Sequence, residues 1–261
     1  MSEDKIRLGG MAMPNGVLVH GPSSWACAIR HPDGRLEVAS ARKRFRAANV
    51  TSPLLRGPAR IAEALALLPQ VKRKLPAAQL PMQSPRVVMS MAGSVIALRS
   101  IRESGRLRPV ALELLSGLVS LGPAVLAMRG SELAAYHGAE HISIGTYEHG
   151  VGAKKEHERC GGHLVGPLVA TTAVGNVLAG LAPVRVRNGA RAVAQIGALA
   201  ASTEIFGWMT RHPDHPVAQA LSKPGHELQH RLSTAEPSPE QLEVAEAALA
   251  ACLELEHGAD A

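Results

Sequence analysis

The sequence predicts a mainly α protein, a helical bundle with a small N-terminal β element. Three observations predict it. Short apolar runs separated by turn signals occupy residues 9–50. The periodicity turns helical after residue 50, with Ala, Leu and Val dominant and Pro and Gly as punctuation. A well-signalled amphipathic helix then closes the chain. The division that follows is a β-rich element over 1–50 and a helical body over 51–261.

In the first part, Gly16-Val-Leu-Val-His20 and Trp25-Ala-Cys-Ala-Ile-Arg30 read as strands. Gly21-Pro22 separates them, and His31-Pro-Asp-Gly34 is a turn signal ahead of Arg35-Leu-Glu-Val38. Arg60–Leu68 reads as a short amphipathic stretch, and 76–85 as a proline-bearing linker. Three long apolar segments follow, 109–128, 164–184 and 192–210. The first carries Glu113 and the third Glu204. The second is uncharged, but its Gly, Pro, Thr and Asn176 offset its Leu and Val on an insertion scale. No Trp or Tyr belt flanks them. The balance favours a soluble, tightly packed bundle over membrane spans, because length alone does not make a span. At the C-terminus, Ser238-Pro239-Glu240-Gln241 supplies an N-cap, a Pro at the first helical position and a capping-box Gln. The helix to about Glu256 presents Leu242, Ala245, Leu249, Cys252 and Leu253 on one face, with its acids outward.

Composition bounds the function. The 261 residues are 46% hydrophobic, 19% charged and 2% aromatic, which excludes a disordered chain. Three widely spaced cysteines exclude a disulfide scaffold and suit a reducing compartment. The first 30 residues lack a basic-then-apolar signal pattern, so a cytoplasmic protein is expected, with the inner membrane as the alternative. The net charge of +6 is unevenly spread, and the densest basic run is Arg42-Lys-Arg-Phe-Arg46. With almost no aromatics to stack on bases, it reads as a solvated loop, and no nucleic-acid partner is expected.

The chemistry concentrates in histidine. Five of the twelve fall between 137 and 163 and four between 212 and 230. His137 and His141 share a helix face, and Glu140 lies between them in an H-x-x-E-H spacing. Glu148, eleven residues from His137, returns to that face after three turns. His157 and Cys160 add a second pair with ligand spacing. These residues predict a divalent metal held by some of His137, His141, Glu148, His157 and Cys160. Glu204, a carboxylate in an apolar stretch, is a further candidate because burying it demands a partner. Zinc suits the mixed donor set best, with iron or manganese as alternatives. Glu140 is the expected general base or a further ligand, and Tyr136 is positioned to orient a substrate. His226-Glu227-Leu-Gln-His230 spells H-E-x-x-H, but it follows Pro224-Gly225 and lacks the zincin extension, so a surface helix turn and a share in the site stay equally open.

Together these blocks resemble the bacterial YqhQ-like family, whose function is unknown. Gly9-Gly10, Gly16-Val17 and Gly21-Pro22 resemble its opening motifs, Tyr136-His-Gly-Ala-Glu-His141 its Y-H-G-A-E-H signature, Tyr147-Glu148 the pair after it, and His157-x-Arg-Cys-Gly161 its H-P-R-C-G. Glu204 matches a Glu in an apolar helix, and Leu228-Gln229, Glu236-Pro237 and Gln241–Ala245 resemble the closing motifs. The family's lysine after E-H is Ile142 here, and its acidic residue before Gly16 is Asn15. Family members are typically polytopic membrane proteins with Leu/Ile/Phe-rich spans. The Ala-, Gly- and Thr-diluted segments of this chain imply a divergent member that has left the membrane and kept the polar constellation. The expected function is a metalloenzyme that activates water for hydrolysis, ring opening or rearrangement of a small polar molecule. The alternative is a non-catalytic, membrane-associated scaffold held by a structural metal or a His/Glu network.

Overall fold

The computed structural model describes residues 5–258, apart from the side chain of Met82. It is mainly α with an N-terminal β element, as expected. Four strands, β1 (Gly9–Met13), β2 (Gly16–His20), β3 (Ser24–Arg30) and β4 (Leu36–Arg42), form an antiparallel meander in chain order. Eight α-helices follow: α1 (Pro53–Lys74), α2 (Pro85–Glu103), α3 (Pro109–Met128), α4 (Glu132–His149), α5 (Val165–Gly180), α6 (Arg187–Arg211), α7 (Pro216–Leu228) and α8 (Pro239–His257). α1 is much longer than the 60–68 stretch read from sequence, because Pro58 and Pro69, which look like breakers, lie inside it.

The sheet is covered on both faces, which is why its central strands read as unbroken apolar runs. Strand alternation sends Val17, Val19, Ala26 and Ala28 to one face, where α4 and α8 cover them with Leu133, Tyr136, Ala139, Ala245, Ala248 and Cys252. It sends Leu18, Trp25, Cys27 and Ile29 to the other, against Leu67, Val71 and Leu75. The alanines on the first face let α8 approach closely. α8 is capped as its sequence signals, with Ser238 Oγ accepting from the Gln241 N–H and Gln241 Oε1 from the Ser238 N–H. One acid departs from the outward pattern. Glu256 is buried and accepts from the N–H and hydroxyl groups of Ser23 and Ser24 at 2.6–2.9 Å. Burial works to raise its pKa, but these bonds outweigh it and hold the carboxyl below its usual range. Gly21 makes room, since a Cβ there would lie 2.5 Å from Glu256 Oε1.

On the opposite face, Lys43 is buried, pairs with Glu63 of α1 and donates to His20 Nδ1 at 3.0 Å. Part of the basic run is therefore structural, not a solvated loop. Arg44, Phe45 and Arg46 remain exposed.

The remaining helices form the bundle, with α2 on α3, α3 on α5, α5 on α6, and α6 on the N-terminal half of α1. Its exterior is apolar. Val95 and Ile96 of α2, Leu114 and Leu118 of α3, Leu178 of α5 and Val193 and Ile196 of α6 face outward. Polar groups face inward. Glu113 of α3 accepts from Arg102 Nη2 of α2 (3.0 Å) and Asn176 Nδ2 of α5 (2.6 Å), and Gln195 of α6 donates to Asn176 Oδ1 (2.9 Å). Among the described residues, two helices are long and apolar enough to cross a membrane: Pro109–Met128, mean hydropathy 1.8, and Gly161–Gly180, mean hydropathy 1.3. Only 11% and 28% of those windows are buried. Composition alone read them as soluble packing helices because Ala, Gly and Thr dilute their hydropathy. The small residues turn out to pack inward while the large apolar ones line the outside.

The His20 ring is held neutral. Burial first, and Lys43 second, lower its pKa from 6.5 to about 4. Its contribution to stability is complete above about pH 6.5 and is lost as pH falls toward 4, a difference of about 3 kcal/mol. Urea denaturation across that range should show the loss in the wild type. His20→Gln, which keeps an acceptor for Lys43, should make that loss smaller by about 3 kcal/mol.

Candidate metal centre

α4 carries the site, and its local sequence explains its position. Ser131 caps its start and Gly150, at φ 71°, ends it in a left-handed turn. Two glycines let neighbours reach it. A Cβ at Gly138 would lie 2.1 Å from the Ala235 carbonyl oxygen, and one at Gly145 would lie 2.8 Å from the Ala153 side chain. The 233–237 segment and the 153–160 loop therefore press directly on the helix.

Those two segments orient both imidazoles. His137 Nδ1 meets the Ser233 carbonyl at 2.7 Å, and His141 Nδ1 meets the Lys155 carbonyl at 2.5 Å. A carbonyl only accepts, so each Nδ1 carries the proton and each Nε2 presents a lone pair. Cys160 Sγ lies 3.5 Å from His137 Nε2. The ligating atoms of His137, His141 and Cys160 all fall within 4.8 Å of one another. This group could hold a metal ion. Carbonyls that fix the tautomer of a ligating imidazole are the usual support of such a centre. Burial and the neighbouring His137 push the His141 pKa down to about 3, and burial lowers that of His137. Burial raises the Cys160 thiol to about 12.

Glu140 projects into the same small cavity, of about 160 Å³. Its Oε2 is 3.9 Å from His137 Nε2, and it makes no hydrogen bond to another described residue. Burial raises its pKa to about 7. Gly10 of β1 forms the facing wall, where a Cβ would lie 2.1 Å from Glu140 Oε1.

The other expected residues stand beside the group or away from it. His157 lines the cavity, but both its nitrogens are engaged: Nδ1 accepts from the Arg159 N–H at 3.2 Å and Nε2 donates to Glu148 Oε2 at 3.1 Å. Glu148 is also paired with Arg159, so its charge is spent there. Tyr136 is buried in the core between the sheet and α8, not in the cavity. Glu204 lies outside the group: Arg56 of α1 grips it from two nitrogens, Nε to Oε1 at 2.7 Å, and that pairing is what lets a carboxylate sit in an apolar helix.

Sequence reasoning missed several participants. The carbonyls of Ser233 and Lys155 are main-chain groups and leave no side-chain signal. Arg159 could have been read as a partner for a nearby acid. Gln229, fully buried, accepts from the His157 N–H through Oε1 at 2.8 Å and meets His163 Nδ1 through Nε2 at 3.2 Å. Outside this layer a cleft of about 950 Å³ runs between the 153–159 loop, α6 and α7. His157 and Arg159 line both the cleft and the small cavity.

Residues 131–255, somewhat under half of the chain, match the family model described as Protein of unknown function (DUF1385). The match begins at the cap of α4, takes in the whole site except Gly10, and is consistent with the YqhQ-like resemblance. No curated protein and no solved structure matches the chain.

Gly138 supplies a test of the close approach that aims His137. Gly→Ala inside a helix ordinarily gains about 1 kcal/mol. Here Gly138→Ala should instead lose about 1–3 kcal/mol, because the Ala235 backbone cannot yield as a flexible side chain would. Chemical denaturation of the two proteins reads the sign.

Proposed function

We propose that the chain is a zinc-dependent enzyme of hydrolase or lyase type. Its metal is held by His137, His141 and Cys160, and its substrate is a small polar molecule. The observation that carries this reading is the pair of Nδ1-to-carbonyl bonds, which leave each Nε2 as the uncommitted nitrogen in a group whose ligating atoms, the Cys160 sulfur among them, lie within 4.8 Å of one another. Two imidazoles and one thiolate suit zinc, and three protein ligands leave a position open, as in catalytic rather than structural sites. The chemistry zinc would supply there is activation of a water molecule. Glu140, beside the group and free of other hydrogen bonds, is the group that takes up and returns the proton. Arg159 fixes Glu148, which in turn holds His157 against the cavity. The scaffold alternative would need a closed fourth position, which Glu140 would supply if it ligates the metal.

We also infer that the outer surface of α2, α3, α5 and α6 lies in a lipid bilayer, so the inner membrane is preferred to the cytoplasm. The support is the run of outward Leu, Ile and Val over two helices of spanning length, with Glu113, Asn176 and Gln195 turned inward.

Two measurements test these readings. Protein purified from zinc-supplemented growth should carry metal at the triad, and His137→Ala should lose it. Glu140→Gln should keep the metal and lose hydrolysis of a generic ester such as para-nitrophenyl acetate, whereas loss of the metal would make Glu140 a ligand. Metal-free wild type that cannot be reconstituted would end the proposal. On fractionation the protein should pellet with membranes and resist a carbonate wash; recovery in the soluble fraction without detergent would restore the cytoplasmic reading.

A further inference from the structure

The H-E-L-Q-H segment is not absorbed by the inner centre. His226 and His230 lie four residues apart, across the end of α7 and the π-helical turn Gln229–Ser233. Their rings are near-parallel, 8° apart, with centroids separated by 6.4 Å, and both line the large cleft. His230 Nδ1 meets Glu156 Oε1 at 2.9 Å, so Nδ1–H donates to the carboxylate and Nε2 of the neutral ring presents its lone pair. This is a carboxylate-oriented imidazole of the sort that backs metal ligands. The π turn, a device concentrated at functional sites, carries His230 out of α-helical register. Glu227, the acid of the motif, pairs with Arg231 instead, so the segment lacks the base of a zincin. What remains is two exposed imidazoles and an orienting acid, a ligand set with no catalytic partner.

The inner group poses a problem of access. His141 is 2% exposed and Cys160 9%, and the wall that His157 and Arg159 share between their cavity and the cleft is a route by which an ion could reach them. We propose that His226 and His230, oriented by Glu156, bind a divalent cation at the cleft and pass it inward to His137, His141 and Cys160. The passage rests on the inner-centre reading; the outer site does not.

Cobalt(II) separates the two sites, because only the inner one contains a thiolate and gives a sulfur-to-cobalt charge-transfer band. Wild type should bind two equivalents and develop the band. His137→Ala with Cys160→Ala should lose the band and keep one equivalent. His226→Ala with His230→Ala in that background should bind none. In an otherwise wild-type chain, the same pair of changes should slow growth of the band severalfold without lowering its final height. The outer site fails if the His137→Ala, Cys160→Ala chain binds no cobalt, or if its binding survives loss of His226 and His230. The passage fails if the band grows at the wild-type rate without them. A wild type that never shows the band, while the His226-dependent equivalent persists, overturns the inner centre and the passage and leaves the outer site standing.

Discussion

Everything at the candidate centre depends on one electrostatic constraint. A single helix, α4, takes two imidazoles and a carboxylate out of water on the face it turns toward β1 and the 153–160 loop. Desolvation favours the neutral form of each, and so lowers the pKa of His137 and His141 and raises that of Glu140. Neutral imidazoles with their Nδ1 protons committed to carbonyls are poor partners for water and good ones for a metal. The fold reaches this state with small residues. Gly138 and Gly145 admit the two segments whose carbonyls fix the rings, and Gly10 leaves space for the carboxylate.

What was legible in the sequence follows from this. The helix cap at Ser238, the Pro-Asp-Gly turn and the spacing of His137, Glu140 and His141 are local signals, and local signals survive folding. The grouping of Cys160 with His137 was legible because ligand-type residues clustered within a short stretch. Glu148 is placed by helix periodicity, His157 by ligand spacing and Glu204 by the partner a carboxylate in an apolar stretch demands. Both acids have a guanidinium as partner. Arg159 lies eleven residues from Glu148 and Arg56 lies 148 from Glu204. No spacing rule on one helix announces a guanidinium from another element. Tyr136 shows the opposite error: an aromatic next to chemistry in sequence points the other way on the helix, into the core.

The bundle illustrates a limit of composition. Summed hydropathy treats a helix as a uniform cylinder, whereas its neighbours meet it one face at a time. Here the Ala, Gly and Thr that lower the sum line the seams, as at Gly175 against Ala194 and Thr171 against the Ala198 carbonyl. The Leu and Val that raise it are left outside. The four-residue network of Arg102, Glu113, Asn176 and Gln195 then draws one side chain from each of α2, α3, α5 and α6. Each helix is thereby assigned an inner edge by hydrogen bonding, in a bundle whose apolar surface does not distinguish inside from outside.

The tie between Glu256 and the β2–β3 turn joins residues 232 apart in the chain. Translation delivers the sheet well before this tie. While the middle helices are being made, the alanine face of the meander waits without its cover, and the turn at Ser23 and Ser24 without its acceptor. α8 also packs against the helix that bears His137 and His141. The face of α4 that meets the sheet is therefore fully covered only once α8 has been made and docked.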